Sequence, residues 1–472
     1  MRQTIERASG RRALAALTLG ALACGGEGPA GTALRVPGLA RDLDPNPRVV
    51  HVELVATRGS HVYLTGRPAE IWGYADGPDA VPTVPGPVIE ARVGDVIVVG
   101  LTNRLDMPTT VHWHGLRLPA AADGSTSTQE PVLPGMRYEA RFTALDAGTF
   151  WYHPHIRADE QVERGLYGAL IVREAAPPTV DADRLFLLDD VKLTADGRLA
   201  EGADPIDLRL GRRGNVVVVN GQRRPRIGVA PRARERWRFV NAANGRYFRL
   251  RLPGHALRVI GGDAGLLHAP YDAETVLIAP GERYEVLVEP VGATGETVTL
   301  FTEPHDRGLG TAGDAPIALL DVVGEGAALP TRAPLDVRGA PFAGVALDAA
   351  TPVRAIVLRE RENAGELRFL INDQAWPFNQ PVRVQQGTTE IWEVDNLAET
   401  DHPFHVHGMF FDVLSIGGVP PAHRGWKDTV NVPARNRVRF AIRYDPVGMW
   451  MFHCTIPEHA TRGMMGDLEI TP

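Results

Sequence analysis

The chain has 472 residues, of which 44% are hydrophobic, with 50 glycines, 38 prolines and a formal net charge of -7. This length suits about three domains of about 140 residues each, and the glycine and proline content favours a turn-rich protein over a helical one. The mild charge and the lack of long basic runs give no reason to expect a nucleic-acid partner or a membrane-surface helix.

The first 23 residues resemble an export signal. Arg11 and Arg12 precede an apolar run, Ala13–Ala23, which is too short to span a bilayer. The arginine pair is similar to a twin-arginine signal, and Cys24 directly after the run is a candidate for a lipid anchor. We therefore predict a periplasmic or secreted protein without a transmembrane span; the alternative is an N-terminus that is never cleaved.

Self-similar segments divide the chain into thirds. The segment PGMRYEARF, Pro134–Phe142, recurs as PGERYEVLV, Pro280–Val288, and more weakly as PARNRVRFA from Pro433. Alternating stretches between turn residues indicate strands, and nothing resembles a long amphipathic helix. We therefore predict an all-β chain of three Greek-key β-sandwich domains. Their expected limits are residues 45–175, 180–325 and 350–472.

A second repeated segment places histidines in the outer thirds only. Asn103 is followed nine residues later by His-Trp-His at 112–114, and Asn396 by His-Val-His at 405–407. The middle copy leads from Asn241 to Leu-Arg-Leu at 250–252. The same strand is therefore predicted three times, and two of the three copies carry candidate metal-binding histidines.

Nine of the 15 histidines fall into four clusters. These clusters are His112/His114, His153/His155, His402/His405/His407 and His453/His459. Because residues i and i+2 of a strand point to the same face, each His-x-His pair directs two imidazoles into one space. A lone histidine is more often a core residue, and zinc usually takes four ligands, whereas this many imidazoles with a single thiolate favour copper.

Cysteine usage indicates a thiolate ligand rather than disulfides. The folded body contains one cysteine, Cys454, so no disulfide framework is expected. His459 and Met464 follow it at five and ten residues, and His402 is the natural second imidazole. A His/His/Cys set with a weak axial Met is the arrangement of blue-copper electron-transfer sites. Met465 offers the same chemistry, but the spacing favours Met464.

Four segments, HWHG, HPH, HPFHVHG and HCTIPEHATRGMM, resemble the copper motifs of the multicopper oxidase family, which includes laccases and cuprous oxidases. The resemblance extends through the three-domain body and implies cupredoxin-like domains, with a structural middle domain that binds no copper. It implies a type 1 copper at His402, Cys454, His459 and Met464. It implies a trinuclear cluster with a type 2 ion at His112 and His405 and a type 3 pair at His114, His153, His155, His407 and His453.

The same resemblance implies a copper-dependent oxidoreductase. A small donor, either a phenolic or aromatic molecule or a metal ion, gives single electrons to the type 1 copper. The electrons pass through Cys454 and His453 to the trinuclear cluster, where dioxygen is reduced to water. Asp123 matches the family's proton-relay acid, although an aspartate before a glycine is also common in turns.

Two positions depart from the family pattern. The family has histidine at position 455, as the internal copy His153-Pro154-His155 also predicts, but this chain has Thr455. A threonine hydroxyl is a poor replacement for imidazole on copper, so the ion bound by His114 and His153 should bind weakly or take a water. Ala460 stands where many bacterial relatives carry a glutamate that helps to deliver protons.

Three interpretations stay open: a working oxidase with an adapted cluster, a variant with an intact type 1 site but impaired oxygen reduction, and a copper-binding or structural periplasmic protein. The eight methionines form no cluster, which favours an organic donor and makes a cuprous oxidase a minor alternative. A copper nitrite reductase would have two domains instead of three. Asp428, in GWKDTV, could orient His402 or a donor, or form a surface salt bridge.

Overall fold

The computed structural model describes residues 31–309, 315–363 and 365–472. The predicted export signal, residues 1–23, and the candidate lipid-anchor residue Cys24 lie outside these described residues. Within them the chain is almost entirely β-structure, arranged in six sheets. The all-β prediction is therefore confirmed.

The first sandwich is built from strands β1–β8. Their bounds are β1 (Val49–Leu64), β2 (Arg67–Asp76), β3 (Ile89–Arg92), β4 (Val96–Asn103), β5 (His112–His114), β6 (Arg137–Thr143), β7 (Gly148–His153) and β8 (Gly168–Arg173). One sheet has the order β2-β1-β4-β6 and the other β3-β8-β7-β5. Neighbours in these sheets are often distant in sequence, as Greek-key connections require.

The middle sandwich is built from strands β9–β19. Their bounds are β9 (Ala182–Val191), β10 (Val216–Val219), β11 (Arg226–Val229), β12 (Glu235–Asn241), β13 (Phe248–Arg251), β14 (Leu257–Gly262), β15 (Gly265–Ala273), β16 (Val276–Ile278), β17 (Arg283–Val288), β18 (Thr297–Glu303) and β19 (Ile317–Gly324). The two sheets have the orders β10-β9-β12-β17-β14-β15 and β11-β19-β18-β13-β16.

The third sandwich is built from strands β20–β30. Their bounds are β20 (Val353–Asn363), β21 (Glu366–Ile371), β22 (Val382–Gln385), β23 (Thr389–Asn396), β24 (His402–Val406), β25 (Phe411–Ile416), β26 (Trp426–Lys427), β27 (Thr429–Val432), β28 (Arg437–Arg443), β29 (Gly448–Cys454) and β30 (Met465–Thr471). The sheets have the orders β21-β20-β23-β28-β25-β26 and β22-β30-β29-β24-β27.

In residues 31–309, 315–363 and 365–472, helical structure is limited to short segments between strands. These are a 3-10 turn (Ala120–Ala122) and the helices α1 (Ala158–Gln161), α2 (Pro205–Leu210) and α3 (Pro457–Thr461). None of the helices in the described part of the chain has the length and apolar character needed to cross a membrane.

The cores of the first and third sandwiches are continuous. Trp113 and Phe142 from the first and Trp392 and Phe440 from the third belong to one packed cluster of buried side chains. The middle sandwich has its own core around Trp237. The outer sandwiches therefore pack directly against each other, although the whole middle domain separates them in sequence.

The repeated asparagines have the same structural role in all three sandwiches. Asn103, Asn241 and Asn396 are fully buried, and each Oδ1 accepts from the backbone N–H two residues later, at 2.9, 3.0 and 3.0 Å. Each Nδ2 also donates to backbone carbonyls of the following loop and of a neighbouring segment. One asparagine thus fixes the loop in front of β5, β13 and β24, whether that strand carries histidines or leucines.

Candidate metal centres

Strand pairing brings the histidine triplets side by side. In the first sandwich β5 lies antiparallel to β7, which places His112 opposite His153. In the third sandwich β24 lies antiparallel to β29, which places His405 opposite His453. Because a spacing of two keeps side chains on one face of β5, His114 joins the same group. His155 and His407, which follow the ends of β7 and β24, also join it.

Among the described residues, seven imidazoles meet in one buried pocket between the first and third sandwiches. They belong to His112, His114, His153, His155, His405, His407 and His453, none more than 8% exposed. Rings from opposite ends of the chain stack on each other: the centroids of His112 and His407 are 3.9 Å apart, and those of His114 and His405 are 3.8 Å apart. The structure therefore brings together every residue predicted for the trinuclear cluster.

The outward nitrogens of these rings are held by oxygen acceptors. The Nδ1 atoms of His112, His153, His405 and His453 each donate to a backbone carbonyl, belonging to Asp123, Pro154, Asp428 and Cys454 respectively, at 2.8–2.9 Å. Because a carbonyl oxygen only accepts, Nδ1 carries the proton and Nε2 presents a lone pair. This is how metal-binding histidines are usually oriented by their surroundings.

Several of the inward nitrogens have no partner within the described residues. They are Nε2 of His112, His153 and His405 and Nδ1 of His114, all fully buried. Others converge: His453 Nε2 is 2.9 Å from His407 Nε2 and 3.1 Å from His155 Nε2. Buried polar atoms without partners are costly, and nitrogens this close suit ligands about 2 Å from a shared first-row metal ion. The donor set therefore fits copper, as the sequence predicts.

Burial keeps the imidazoles in the form that binds metal. It lowers the pKa of His114, His153, His155 and His407 well below the usual value, and neighbouring histidines lower it further. It also lowers the pKa of His453 to about 3. A neutral imidazole has a free lone pair for a metal ion, so these rings need no deprotonation near neutral pH.

His402, Cys454 and His459 form a second buried group. The two Nδ1 atoms are 3.0 Å apart, and Cys454 Sγ lies 3.6 Å from His402 Nδ1 and 3.7 Å from His459 Nδ1. Burial raises the pKa of the Cys454 thiol to about 12 and lowers that of His402 to about 3. Formation of the thiolate here therefore depends on a cation bound by these three side chains.

Two methionines follow this group, and the structure separates them. Met464 is fully buried in the same cluster of side chains as Cys454, and its carbonyl accepts from the Cys454 N–H at 3.1 Å. Met465 packs with Met451 and Ala460 in a different apolar cluster. The choice of Met464 as the axial candidate agrees with this packing.

Asp123 lies against two of the pocket imidazoles. Its carboxylate oxygens are 3.0 and 3.1 Å from His407 Nδ1, and one is 3.3 Å from His112 Nδ1. Burial raises the pKa of Asp123, but His112 and other partners outweigh this, so the pKa is lowered overall. The acid also has a turn role, because Gly124 after it has φ +83 and leaves no room for a Cβ beside the Val111 carbonyl.

Thr455 borders the pocket next to a turn of the middle sandwich. A Cβ added to Gly281 would lie 3.0 Å from Thr455 Cγ2 and 3.1 Å from His114 Cε1, so the three residues are neighbours. The Thr455 hydroxyl donates to the Pro280 carbonyl at 2.6 Å. The residue that replaces the family histidine therefore uses its hydroxyl hydrogen to join two domains.

Asp428 forms part of the pocket wall. Its Oδ1 lies 3.4 Å from both His114 Nε2 and His405 Nδ1, so Asp428 contacts these imidazoles instead of His402. Arg283 from the middle sandwich binds both carboxylate oxygens, at 2.8 and 2.5 Å. Both residues are fully buried, so the alternative of a surface salt bridge is wrong. The sequence does not single out Arg283, because the matching residue of the first repeat, Arg137, is an ordinary half-exposed arginine.

The short helix α3 carries a buried acid that the sequence analysis did not identify. Glu458 is fully buried, its Oε1 accepts from Asn244 Nδ2 at 2.8 Å, and burial raises its pKa to about 7. No pattern of sequence around Glu458 distinguishes it from a surface glutamate. Ala460, two residues later, faces an apolar cluster and supplies no acid.

The outer side of the Cys454 group is covered by polypeptide. His459 Nε2 donates to the Arg209 carbonyl in α2 at 3.0 Å, and Glu360 Oε1 lies 4.0 Å from His402 Nε2. Both imidazoles are fully buried. Arg209 and Glu360 therefore contact the two rings at Nε2, whereas the Nδ1 atoms face Cys454 Sγ.

Family models described as multicopper oxidase match residues 58–177, 190–300 and 349–472. A multicopper oxidase of Mycobacterium tuberculosis is 29% identical, with 82% of each chain covered. The cell division protein FtsP of Escherichia coli is 29% identical over 100% of this chain and 98% of its own. The structure of a Campylobacter jejuni multicopper oxidase, described as a metallo-oxidase, has a TM-score of 0.83 at 27% identity, covering 94% of this chain and 96% of that one. The cupredoxin-like fold is thereby confirmed, and the chain belongs to the multicopper oxidase family.

Proposed function

We propose that this protein is a laccase-like oxidase that couples one-electron oxidation of a small organic donor to the reduction of dioxygen to water. The main support for the proposal is that the two candidate metal-binding groups contain residues that are adjacent in sequence, so one peptide bond connects them. Cys454 belongs to the His402/His459 group, and His453 belongs to the pocket of seven imidazoles. When bound, copper would supply one-electron redox chemistry at the first group and reduction of dioxygen at the second.

The four residues proposed to hold the type 1 copper are buried and packed in place. His402, His459, Cys454 and Met464 are fully buried, so the set is fixed by packing and water is excluded from it. Within one strand, adjacent side chains point to opposite faces, so Cys454 and His453 serve the two groups through a short covalent path. We assign Cys454 and His453 to electron transfer between the groups.

We assign Asp123 the handling of protons on the pocket side. Reduction of dioxygen to water consumes four protons, and Ala460 offers no acid at the position used by relatives. The Asp123 carboxylate, hydrogen-bonded to His407 Nδ1, is placed to pass protons to the pocket beside the imidazoles.

The decisive experiment is oxygen uptake by the copper-loaded protein with guaiacol as the donor. We expect a blue protein that consumes four donor molecules for each dioxygen, and Cys454→Ser should lose both the colour and the uptake. Met464→Leu should keep uptake but shift the blue absorption band and raise the reduction potential, because a weak ligand is removed. Met465→Leu is the matched control and should leave the spectrum unchanged. A colourless copper-loaded protein would refute the proposal.

A second candidate is a relative with an intact Cys454 group but impaired oxygen reduction. It is favoured by Thr455 and by the similarity to a cell division protein over the whole chain. Such a protein would be bleached once by guaiacol without air and would recover its colour only slowly when air is admitted. Fast recovery with sustained uptake supports the oxidase.

The donor class can be separated in the same assay. The C. jejuni relative is described as a metallo-oxidase, so ferrous and cuprous ions are the alternative donors to compare with guaiacol. Nitrite replaces dioxygen as acceptor only if the chain works as a nitrite reductase, which its three sandwiches disfavour. A higher kcat/KM for guaiacol than for either ion supports the organic donor.

We also propose export of the chain and the domain limits 45–175, 180–325 and 350–472. Removal of residues 1–23, with or without a lipid on Cys24, would show in the mass and N-terminal sequence of protein from the periplasmic and membrane fractions. Limited proteolysis tests the domain limits, because cleavage should concentrate between the sandwiches.

A further inference from the structure

We infer that six of the seven pocket imidazoles form two sets of three, for two copper ions, and that no separate mononuclear ion is retained. The first set is His112, His114 and His153, and the second is His155, His407 and His453. This inference rests on the proposed function, because it requires copper in the pocket. It departs from the family assignment, in which His112 and His405 share one ion.

The grouping of ligand atoms carries the argument. In the described residues, three triads of imidazole nitrogens lie within 4.8 Å of one another: the two sets above and His112/His405/His407. The third triad shares His112 with the first set and His407 with the second. Because an imidazole lone pair binds one ion, only the first two triads can be complete together.

The first set has three nitrogens ready for a shared ion. His112 Nε2, His114 Nδ1 and His153 Nε2 are each fully buried and without a partner among the described residues. In the family an imidazole from position 455 would complete His114 and His153. Thr455 is a poor replacement, because a neutral hydroxyl is a weak ligand for copper and this one is held by its hydrogen bond to the Pro280 carbonyl. His112 is the imidazole that takes this place.

The second set is complete without help from the first. Nε2 of His453 lies 2.9 Å from that of His407 and 3.1 Å from that of His155. All three residues come from the positions that the family uses for one ion of its type 3 pair, and none of them is altered in this chain. The second set therefore has no need of His112.

His405 is left as a single imidazole. Its Nδ1 donates to the Asp428 carbonyl at 2.8 Å, and its ring stacks on His114. A third copper ion at this position would have one imidazole ligand, through His405 Nε2. The nearby Asp428 carboxylate offers little, since its Oδ1 lies 3.4 Å from His114 Nε2 and His405 Nδ1, whereas the nitrogens of these rings that have no partner in the described part of the chain are His114 Nδ1 and His405 Nε2. One imidazole is a much weaker site than either complete set.

Copper analysis combined with quantitative EPR tests the inference. We expect about three coppers per chain, with an EPR signal that integrates to one copper, the type 1 ion, because two coupled Cu(II) ions in the pocket are EPR-silent. If one type 3 ion were missing instead, the type 1 ion, the type 2 ion and the remaining uncoupled type 3 ion would all give EPR signals. An adapted full cluster would give four coppers with a type 2 signal. Either result overturns the inference, whereas one copper per chain overturns the proposed function as well.

Two pairs of variants sharpen the test. His112→Ala should lose pocket copper, whereas His405→Ala should keep about three coppers and the same single-copper EPR signal. If the two histidines share an ion, both variants lose it equally and the inference fails. Thr455→His should return a fourth copper and a type 2 EPR signal, and Thr455→Val should match the wild type. No gain in the histidine variant would also contradict the inference.

Discussion

At the scale of single residues, Thr455 is the substitution with the largest expected effect on activity. We expect Thr455→His to raise the rate of oxygen uptake, because the added imidazole binds with His114 and His153 and releases His112 to hold a further ion with His405. The measurement is uptake per bound copper with saturating guaiacol. Thr455→Val, which loses the bond to Pro280 but adds no ligand, is the control and should not exceed the wild type. Equal or lower uptake in the histidine variant would mean that position 455 is not a vacated ligand.

Glu458 gives a pH-dependent prediction. Burial raises its pKa from the ordinary value of 4.5 to about 7, so the folded state holds the proton more tightly than the unfolded state. The group therefore stabilises the fold fully below pH 4.5, and this contribution is lost as the pH rises through 7. We expect Glu458→Gln to gain stability relative to the wild type across this window, by up to about 3 kcal/mol.

The measurement is denaturant unfolding of the copper-free protein at pH 5 and at pH 8. Glu362→Gln is the control, because this side chain is 60% exposed and should give the same difference from wild type at both values. A Glu458→Gln difference that does not change with pH would show that the carboxyl is not protonated in the fold.

The sequence predicts the histidines of the site but not the contacts that the middle domain makes with it. Every imidazole expected in the pocket is there, because a spacing of two in a strand fixes the face on which a side chain lies. Arg283 could not be predicted, since its partner Asp428 is 145 positions away and the pairing depends on how two domains dock. The sequence predicts Asp428 near His402, but Asp428 lies beside His114 and His405, because the pairing of β24 with β27 puts His405 opposite Thr429.

At the scale of elements, the loop fixed by each repeated asparagine gives a matched experiment. Asn241→Ala and Asn396→Ala remove the same contacts, two or more donated bonds and one accepted bond, in front of β13 and β24 respectively. Each change leaves buried backbone groups unpaired, at a cost of about 2–4 kcal/mol. Only Asn396→Ala should also lower copper content, because β24 carries the histidines.

The measurements are chemical unfolding and copper analysis of both variants. Loss of copper in Asn241→Ala to the same extent would mean that general instability, and not the position of β24, controls metal retention. The strands themselves could be predicted from the repeats, because PGMRYEARF and PGERYEVLV are turn-and-strand segments that lead into β6 and β17. The docking of one sandwich on another has no such local signal.

At the scale of the whole molecule, metal binding should tie together sandwiches that are far apart in sequence. The pocket takes imidazoles from both outer sandwiches, so an ion bound there stabilises the folded arrangement and not the unfolded chain. At a free copper concentration 1,000 times the Kd, each site adds about 4 kcal/mol. We therefore expect removal of copper by a chelator to lower the Tm, measured by calorimetry. His407→Ala should lose part of this difference, and His268→Ala, an exposed histidine outside the pocket, should keep all of it.

The late position of β29 constrains the order in which the molecule is assembled. Cys454 and His453 lie at the end of this strand, and His453 follows His155 of the first sandwich by 298 positions. Until β29 has been synthesised and has paired with β24, the pocket lacks the His453 imidazole and the other group lacks its sulfur. Stable retention of the metal must therefore follow the synthesis and pairing of β29.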